Sequence, residues 1–283
     1  MPYPLENLQY GLRRRLRELA TRSEAYAFQI AAPNYYGFQP IQKVRLLTQA
    51  VFVKNEENNL EKILYPEQPK NSHEIPLYVV SNKLTFEKFT PDFKLSTILN
   101  DFRFEPKYLE FHDCRLDEMF IQSFVNNVTD PIKCVSLCPS SFSSENGAKM
   151  LSNSPAFRAL ESFTVMEPMF PSLAWWIKAF VKKKCTSLKE FNVHFAKLSV
   201  FEIDKEVLIK FIKAQREDCI LRFFISINIE WCSTAEQRLK YLFDECFERC
   251  VEVSYPLKKQ TVFINFDKEE HKNLKRFYVL RND

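Results

Sequence analysis

Glycine is almost absent: the 283 residues hold three, Gly11, Gly37 and Gly147. Phosphate-cradling loops need several glycines close together so that backbone can approach the ligand. Three isolated ones exclude a P-loop and a dinucleotide fingerprint. A Gly-x-Ser-x-Gly nucleophile elbow is also missing. Histidine is scarce and scattered, at His73, His112, His194 and His271. His112-x-Cys114 offers two metal ligands, but no second pair follows at zinc-finger spacing. Cys134 with Cys138, and Cys246 with Cys250, stand four apart; the second pair would share one helix face, and both read more simply as free thiols. No Ser or Cys stands with a His and a carboxylate in a triad pattern. The chain therefore reads as a non-enzyme with no cofactor and no metal.

Long apolar runs are missing too. Nothing approaches the roughly 20 residues of a membrane-crossing helix, and no membrane partner is expected. The opening MPYPLENLQYGLRRRLREL lacks the roughly 7–15-residue apolar segment of a secretion signal. Eight cysteines without such a signal read as reduced thiols, which points to the cytoplasm, with the nucleus as second compartment. Charge is nearly balanced, 40 basic against 36 acidic residues, so nucleic acid is not the expected partner.

What is abundant is phenylalanine, 27 copies, which is material for a core. Residues 1–37 read as a small helical unit. Leu5, Leu8, Leu12, Leu16 and Leu19 recur at helical spacing, opposite Arg13, Arg14, Arg15 and Arg17. The "TRSE" at 21–24 has capping-box spacing and predicts a second helix to Ala32, with Tyr26, Ala27 and Ile30 inward and Pro33 as its stop. Residues 38–104 read as a mixed connecting region. The segment 43–54 is strand-like, 55–62 a polar loop, 65–76 a proline-rich linker, and 77–80 and 83–89 two further strands.

Residues 105–283 are periodic. The pairs Leu109-x-Phe111, Val135-x-Leu137, Phe163-x-Val165, Phe191-x-Val193 and Phe223-x-Ile225 recur at intervals of 26, 28, 28 and 32 residues. Four of them have an apolar residue three positions earlier: Ile132, Leu160, Leu188 and Ile220. Each pair is followed by a helix-like stretch, at 116–128, 143–154, 171–184, 204–215 and 233–250. Ser233 and Glu236 suggest a second capping box at the start of the last. Within 171–184, Trp175 and Trp176 point about 100° apart on a helix, so both are buried only if the helix is widely covered. A strand and a helix at such intervals predict a solenoid, because one βα unit cannot hide its own apolar face and stacked units bury a continuous core. The spacing matches leucine-rich repeats with Phe and Val in place of many leucines. Cys114 and Cys138 keep no common register as an Asn/Cys ladder. The expected fold is α/β: an irregular leucine-rich-repeat-like strand-helix solenoid behind a small helical N-terminal unit.

The leucine-rich helix pair after PYPLENLQYGLRRRLREL, ending at Pro33, followed by irregular strand-helix repeats, resembles the nematode-expanded F-box-like and F-box-associated proteins with degenerate leucine-rich repeats. Pro4-Leu5 echoes that module's Leu-Pro start in reversed order. The family is also similar to antidote proteins of toxin–antidote pairs. The resemblance implies the substrate-recognition subunit of a ubiquitin ligase, with Leu5, Leu8 and Leu12 holding the ligase adaptor unless they pack on the array. Alternatively it implies a stand-alone binder that neutralises a toxin protein.

In either role the partner is a protein. Strand side chains alternate, so the polar neighbours of the buried pairs should line one face of the array. Those are Glu110, His112, Ser136, Cys138, Thr164, Met166, Asn192, His194, Phe224 and Ser226, and they form the expected partner-binding surface.

Overall fold

In the computed structural model, residues 7–34, 36–39, 41–67, 76–128, 130–166, 169–226, 233–250, 259–266 and 274–281 are described. They form a mixed α/β structure around one large, mostly parallel sheet with no closed barrel. In chain order the elements are helices α1 (Tyr10–Leu19) and α2 (Arg22–Ala31), strands β1 (Val44–Lys54), β2 (Leu60–Tyr65) and β3 (Leu77–Glu87), helix α3 (Ser96–Leu99), and strands β4 (Phe102–Phe104), β5 (Tyr108–His112) and β6 (Arg115–Leu116). Then follow α4 (Glu118–Asn127), β7 (Cys134–Cys138), β8 (Ser141–Phe142), α5 (Glu145–Asn153), β9 (Ser162–Met166), α6 (Leu173–Lys183), β10 (Glu190–Ala196), α7 (Lys205–Lys213) and β11 (Ile220–Ile225). The chain closes with α8 (Ser233–Phe243), β12 (Phe247–Cys250), β13 (Thr261–Phe266) and β14 (Leu274–Leu280).

The sheet order is β12-β14-β13-β11-β10-β9-β7-β5-β3-β1-β2, with β4 beside β3. From β1 through β3, β5, β7, β9, β10 and β11 to β13 every pairing is parallel, and only the hairpins at the two ends are antiparallel. The five expected strands are therefore consecutive neighbours. Their inward side chains are fully buried, and so are Pro106, Ile132, Leu160 and Leu188 three positions before the first four pairs, and Ile220. Helices α4 to α8 cover that face. The Phe111 ring meets Phe120 and Phe124 of α4, Phe163 meets Trp176 and Phe180 of α6, and Phe191 meets Phe211 of α7.

The array is longer than the sequence suggested. Residues 38–104 add β1, β3 and β4 to the same sheet, and Phe52, Phe86 and Phe104 belong to the same hydrophobic cluster as Phe163 and Phe223. The stretches 77–80 and 83–89, expected as two strands, form the single strand β3, with Ser81 and Asn82 carried through it. The loop at 55–62 is shorter than expected, because Leu60 already opens β2. Most of the linker at 65–76 lies outside the described residues.

The fifth rung is shifted by two residues. Phe191 pairs with Leu221 and Val193 with Phe223, so Leu221-x-Phe223 is the fifth copy and the interval to it is 30. "ILRFFI" alternates over its whole length, so hydrophobicity alone did not single out one pair. A polar ladder also exists where none was expected. The Phe89 amide donates to Cys114 Sγ at 3.4 Å, and the Cys114 amide donates to Ser140 Oγ at 3.0 Å. Ser140, not Cys138, continues the position of Cys114. Burial pushes the Cys114 thiol up to about 12, which keeps it protonated.

At the N-terminal unit the Thr21 side chain accepts from the Glu24 amide, and Glu24 accepts from the Thr21 amide at 2.8 Å, as the capping box requires. The buried face of α2 is set by Ala25, with Phe28 stacked on Phe38. Ala27 and Ile30 are exposed and Tyr26 is half-buried under Arg103. Glu236, the carboxylate of the expected second capping box, lies 2.5 Å from the buried Arg276. The last helix stops at Phe243, and Cys250 lies on β12, not on a helix face with Cys246. Pairing of β12 with β14, remote in sequence, pulls this segment into the sheet. Trp176 is buried, whereas Trp175 is half-buried and donates to Glu145 at 2.9 Å.

Lys54 ends β1 with only 5% of its side chain exposed, held by Thr90 and by Asp92 at 3.0 Å. Hydrogen bonds from Thr90 and then Lys54 hold the Asp92 carboxyl at about 2, against an ordinary 3.8. A depressed carboxylate pKa contributes stability above the unfolded value and loses it as pH falls through the folded one. Carboxyl-carbon NMR should find the Asp92 midpoint near 2, and Lys54→Met should move it toward 3.8. A wild-type midpoint at 3.8 would refute the pairing.

Candidate functional site

Opposite α4 to α8, the sheet presents its second face. Here Glu110, Ser136, Thr164 and Asn192 stand in one register across β5, β7, β9 and β10, each half-buried between fully buried neighbours. His112 pairs with Cys138, and His194 with Met166, in the next row. Phe224 and Ser226 share the face, but the two-residue shift puts Arg222, not Phe224, across from Asn192. Sequence reasoning missed Arg222. It also missed Thr85 on β3 and Phe263 on β13, which extend the row on either side, and Lys83, two residues before Thr85 on the same face of β3. The alternation that would have found them was present in "KLTFE" and "TVFINF".

The row is bonded at its two ends, around Glu110 and from Thr164 to Arg222. Lys83 Nζ lies 2.9 Å from Glu110, and His112 Nε2 lies 3.3 Å from the same carboxylate. Burial tends to raise the Glu110 pKa, but the hydrogen bonds from Lys83 and His112 outweigh it, and the carboxyl sits below its ordinary value. Asn192 Nδ2 donates to Thr164 Oγ1 at 3.3 Å. Arg222 Nη1 donates to Asn192 Oδ1 at 3.1 Å and reaches Glu190 at 3.2 Å. Beyond Arg222 the face turns aromatic. His194 and Phe224 stack at 4.6 Å with 4° between their planes, Phe224 meets Phe263 edge-on, and Phe263 stacks on Phe277 at 4.8 Å. Burial lowers the His194 pKa, so its ring is uncharged at neutral pH. Across the sheet the face thus grades from charged, through amide and hydroxyl, to aromatic.

The other expected sites stand as follows. Leu5 lies outside the described residues. Leu8 is half-buried, Leu12 is 56% exposed, and α1 buries none of its own residues. The arginine face of α1 is partly paired internally, with Arg14 and Arg15 each reaching Glu18. His112 ends β5 half-buried, whereas Cys114 lies beyond the strand and is buried, and no metal-ligand cluster occurs among the described residues. The seven described cysteines are free thiols. No described helix is long and apolar enough to cross a membrane. No protein-family model matches this chain, and no curated protein matches it significantly.

Proposed function

We propose that the chain is a protein-binding scaffold, a degenerate leucine-rich-repeat-like solenoid that seats its partner on the face opposite α4 to α8. The observation that carries this reading is the row Glu110, Ser136, Thr164, Asn192, Arg222, one residue per strand, hydrogen-bonded from Thr164 to Arg222 and ending against His194, Phe224 and Phe263. Strand backbone and mutual hydrogen bonds order these side chains before any partner arrives, so less rotamer freedom is lost on binding. Arginine and aromatic rings are the side chains that most often anchor protein interfaces. The Phe89–Cys114–Ser140 ladder supports the leucine-rich reading, since that repeat places Asn or Cys at this position.

Affinity capture with mass spectrometry on the full chain identifies the partner. Glu110→Lys combined with Asn192→Lys then sets like charges beside Lys83 and Arg222, and should weaken binding about tenfold or more without changing the Tm by more than a few degrees. A folded double variant that binds normally would exclude this face.

A separate observation favours one setting for the scaffold. Leu12 and Leu19 of α1, seven residues apart and so on one side of the helix, are both exposed, with Leu19 at 68%, which offers a small apolar stripe to a second protein. A ubiquitin-ligase adaptor is the occupant that the F-box-like resemblance implies, and the chain would then be the substrate-recognition subunit. Capture with and without residues 1–33 separates the roles. An adaptor recovered only by the full chain supports the ligase reading. A partner recovered equally by both, with no adaptor, makes the protein a stand-alone binder such as an antidote that sequesters a toxin.

A further inference from the structure

The helical side holds a concavity of its own. A groove of about 320 Å³ lies between α5 and α6, lined by Glu145, Lys149, Ser152, Asn153, Trp175, Lys178, Ala179, Lys182 and Lys183. Its two ends differ. Where the helices begin, the Trp175 indole donates to Glu145 at 2.9 Å, and Lys149 holds the same carboxylate at 2.9 Å. Lys149 first, then Trp175, keeps that carboxyl below its ordinary pKa, so this end carries a fixed, satisfied negative charge. Where the helices end, Lys178, Lys182 and Lys183 are exposed beside Ser152 and Asn153, and none of the three pairs with a carboxylate among the described residues.

The helix dipole accounts for basic residues in the last turn of α6. It does not account for Lys178, a turn earlier, nor for three unneutralised ammonium groups meeting at one concavity. An anion seated at this end of the groove would meet all three.

We propose that this groove binds a phosphorylated side chain of a protein partner. A phosphate monoester carries close to two negative charges and three acceptor oxygens, which suits three lysines lining one groove better than a single carboxylate does. Ser152 and Asn153 add neutral hydrogen-bonding groups at the same end, and Ala179 leaves the groove open. The volume falls at the lower end of the range of ligand sites, enough for one modified side chain. A nucleic-acid strand laid along the groove would carry its phosphates onto the Glu145 carboxylate, whereas one discrete phosphate stays at the lysine end. The inference does not depend on the strand face, because the groove lies on the opposite side of the sheet.

The test uses the immobilised full chain and an equal mixture of two degenerate peptide libraries, one with a fixed central phosphoserine and one with serine there. Phosphorylated peptides should be enriched about tenfold on the column. Lys178→Glu with Lys182→Glu should abolish the enrichment, and Lys178→Gln with Lys182→Gln should reduce it. All these positions are exposed, so circular dichroism should report native folding. Equal retention of the two libraries, enrichment that survives charge reversal, or tighter binding of single-stranded oligouridine than of the phosphopeptides would each overturn the proposal.

Discussion

Replacing Phe86 by alanine is expected to destabilise the protein by about 4 kcal/mol, the upper range for deleting a buried ring. Phe86 is fully buried on β3, and its ring touches six others: Phe52, Phe89, Phe104, Phe111, Phe120 and Phe124, all within 6.1 Å. Those partners come from β1, β4, β5, α4 and the turn after β3, so the cavity cannot close by moving one element. The lost energy is transfer free energy plus the contacts its neighbours forfeit across a void. Urea denaturation at neutral pH measures it as a fall in midpoint at unchanged slope. A loss below about 1 kcal/mol would mean that β3 is not packed under α4 in this way.

Ser140→Ala is expected to cost about 2 kcal/mol, a large effect for the loss of one oxygen. Ser140 is buried, and its Oγ accepts the Cys114 amide at 3.0 Å. Alanine would leave that buried N–H without an acceptor, and the desolvation penalty of an unmade bond exceeds the net gain from a made one. Ser136→Ala is the control. Ser136 lies four residues away on the opposite, half-exposed face, where water can replace its contacts, and should change stability by less than about 0.5 kcal/mol. Equal effects at the two serines, measured by the same denaturation, would remove the polar ladder from the description.

Much of this was legible before any coordinates. Alternation at Leu109-x-Phe111 through Phe191-x-Val193 specifies which face is buried, because a one-residue slip would expose every apolar side chain. The interval set by one strand and one helix then specifies neighbours. The fifth rung was misread for a physical reason: Leu221, Phe223 and Ile225 of "ILRFFI" are apolar on one parity, and only hydrogen bonding to β10 selects Leu221-x-Phe223 over Phe223-x-Ile225. That shift hid Arg222, the residue that ties the polar row to its aromatic end. Ser140 escaped because a serine at a ladder position looks like any turn serine until its hydroxyl meets the Cys114 amide. Strand character at 43–54, 77–80 and 83–89 was seen, but the union of the last two and their membership of the same sheet depend on pairings between segments that sequence spacing does not connect. On α1, helical spacing revealed the leucine stripe but not whether anything covers it, and Leu12 and Leu19 turn out to be exposed.

Electron–electron distance spectroscopy on nitroxides carried by unnatural amino acids tests the strand order directly, without disturbing the native cysteines. One label replaces Val51 and the second is moved through Asn192, Arg222 and Phe263, which occupy the same row on β10, β11 and β13. Neighbouring strands lie about 4.8 Å apart, so the three separations should rise in that order by roughly that step, near 24, 29 and 34 Å before linker length is added. Separations that fall, or that stay equal from Asn192 to Phe263, would show that these strands are not consecutive parallel neighbours, and the proposed binding face built on them would not exist.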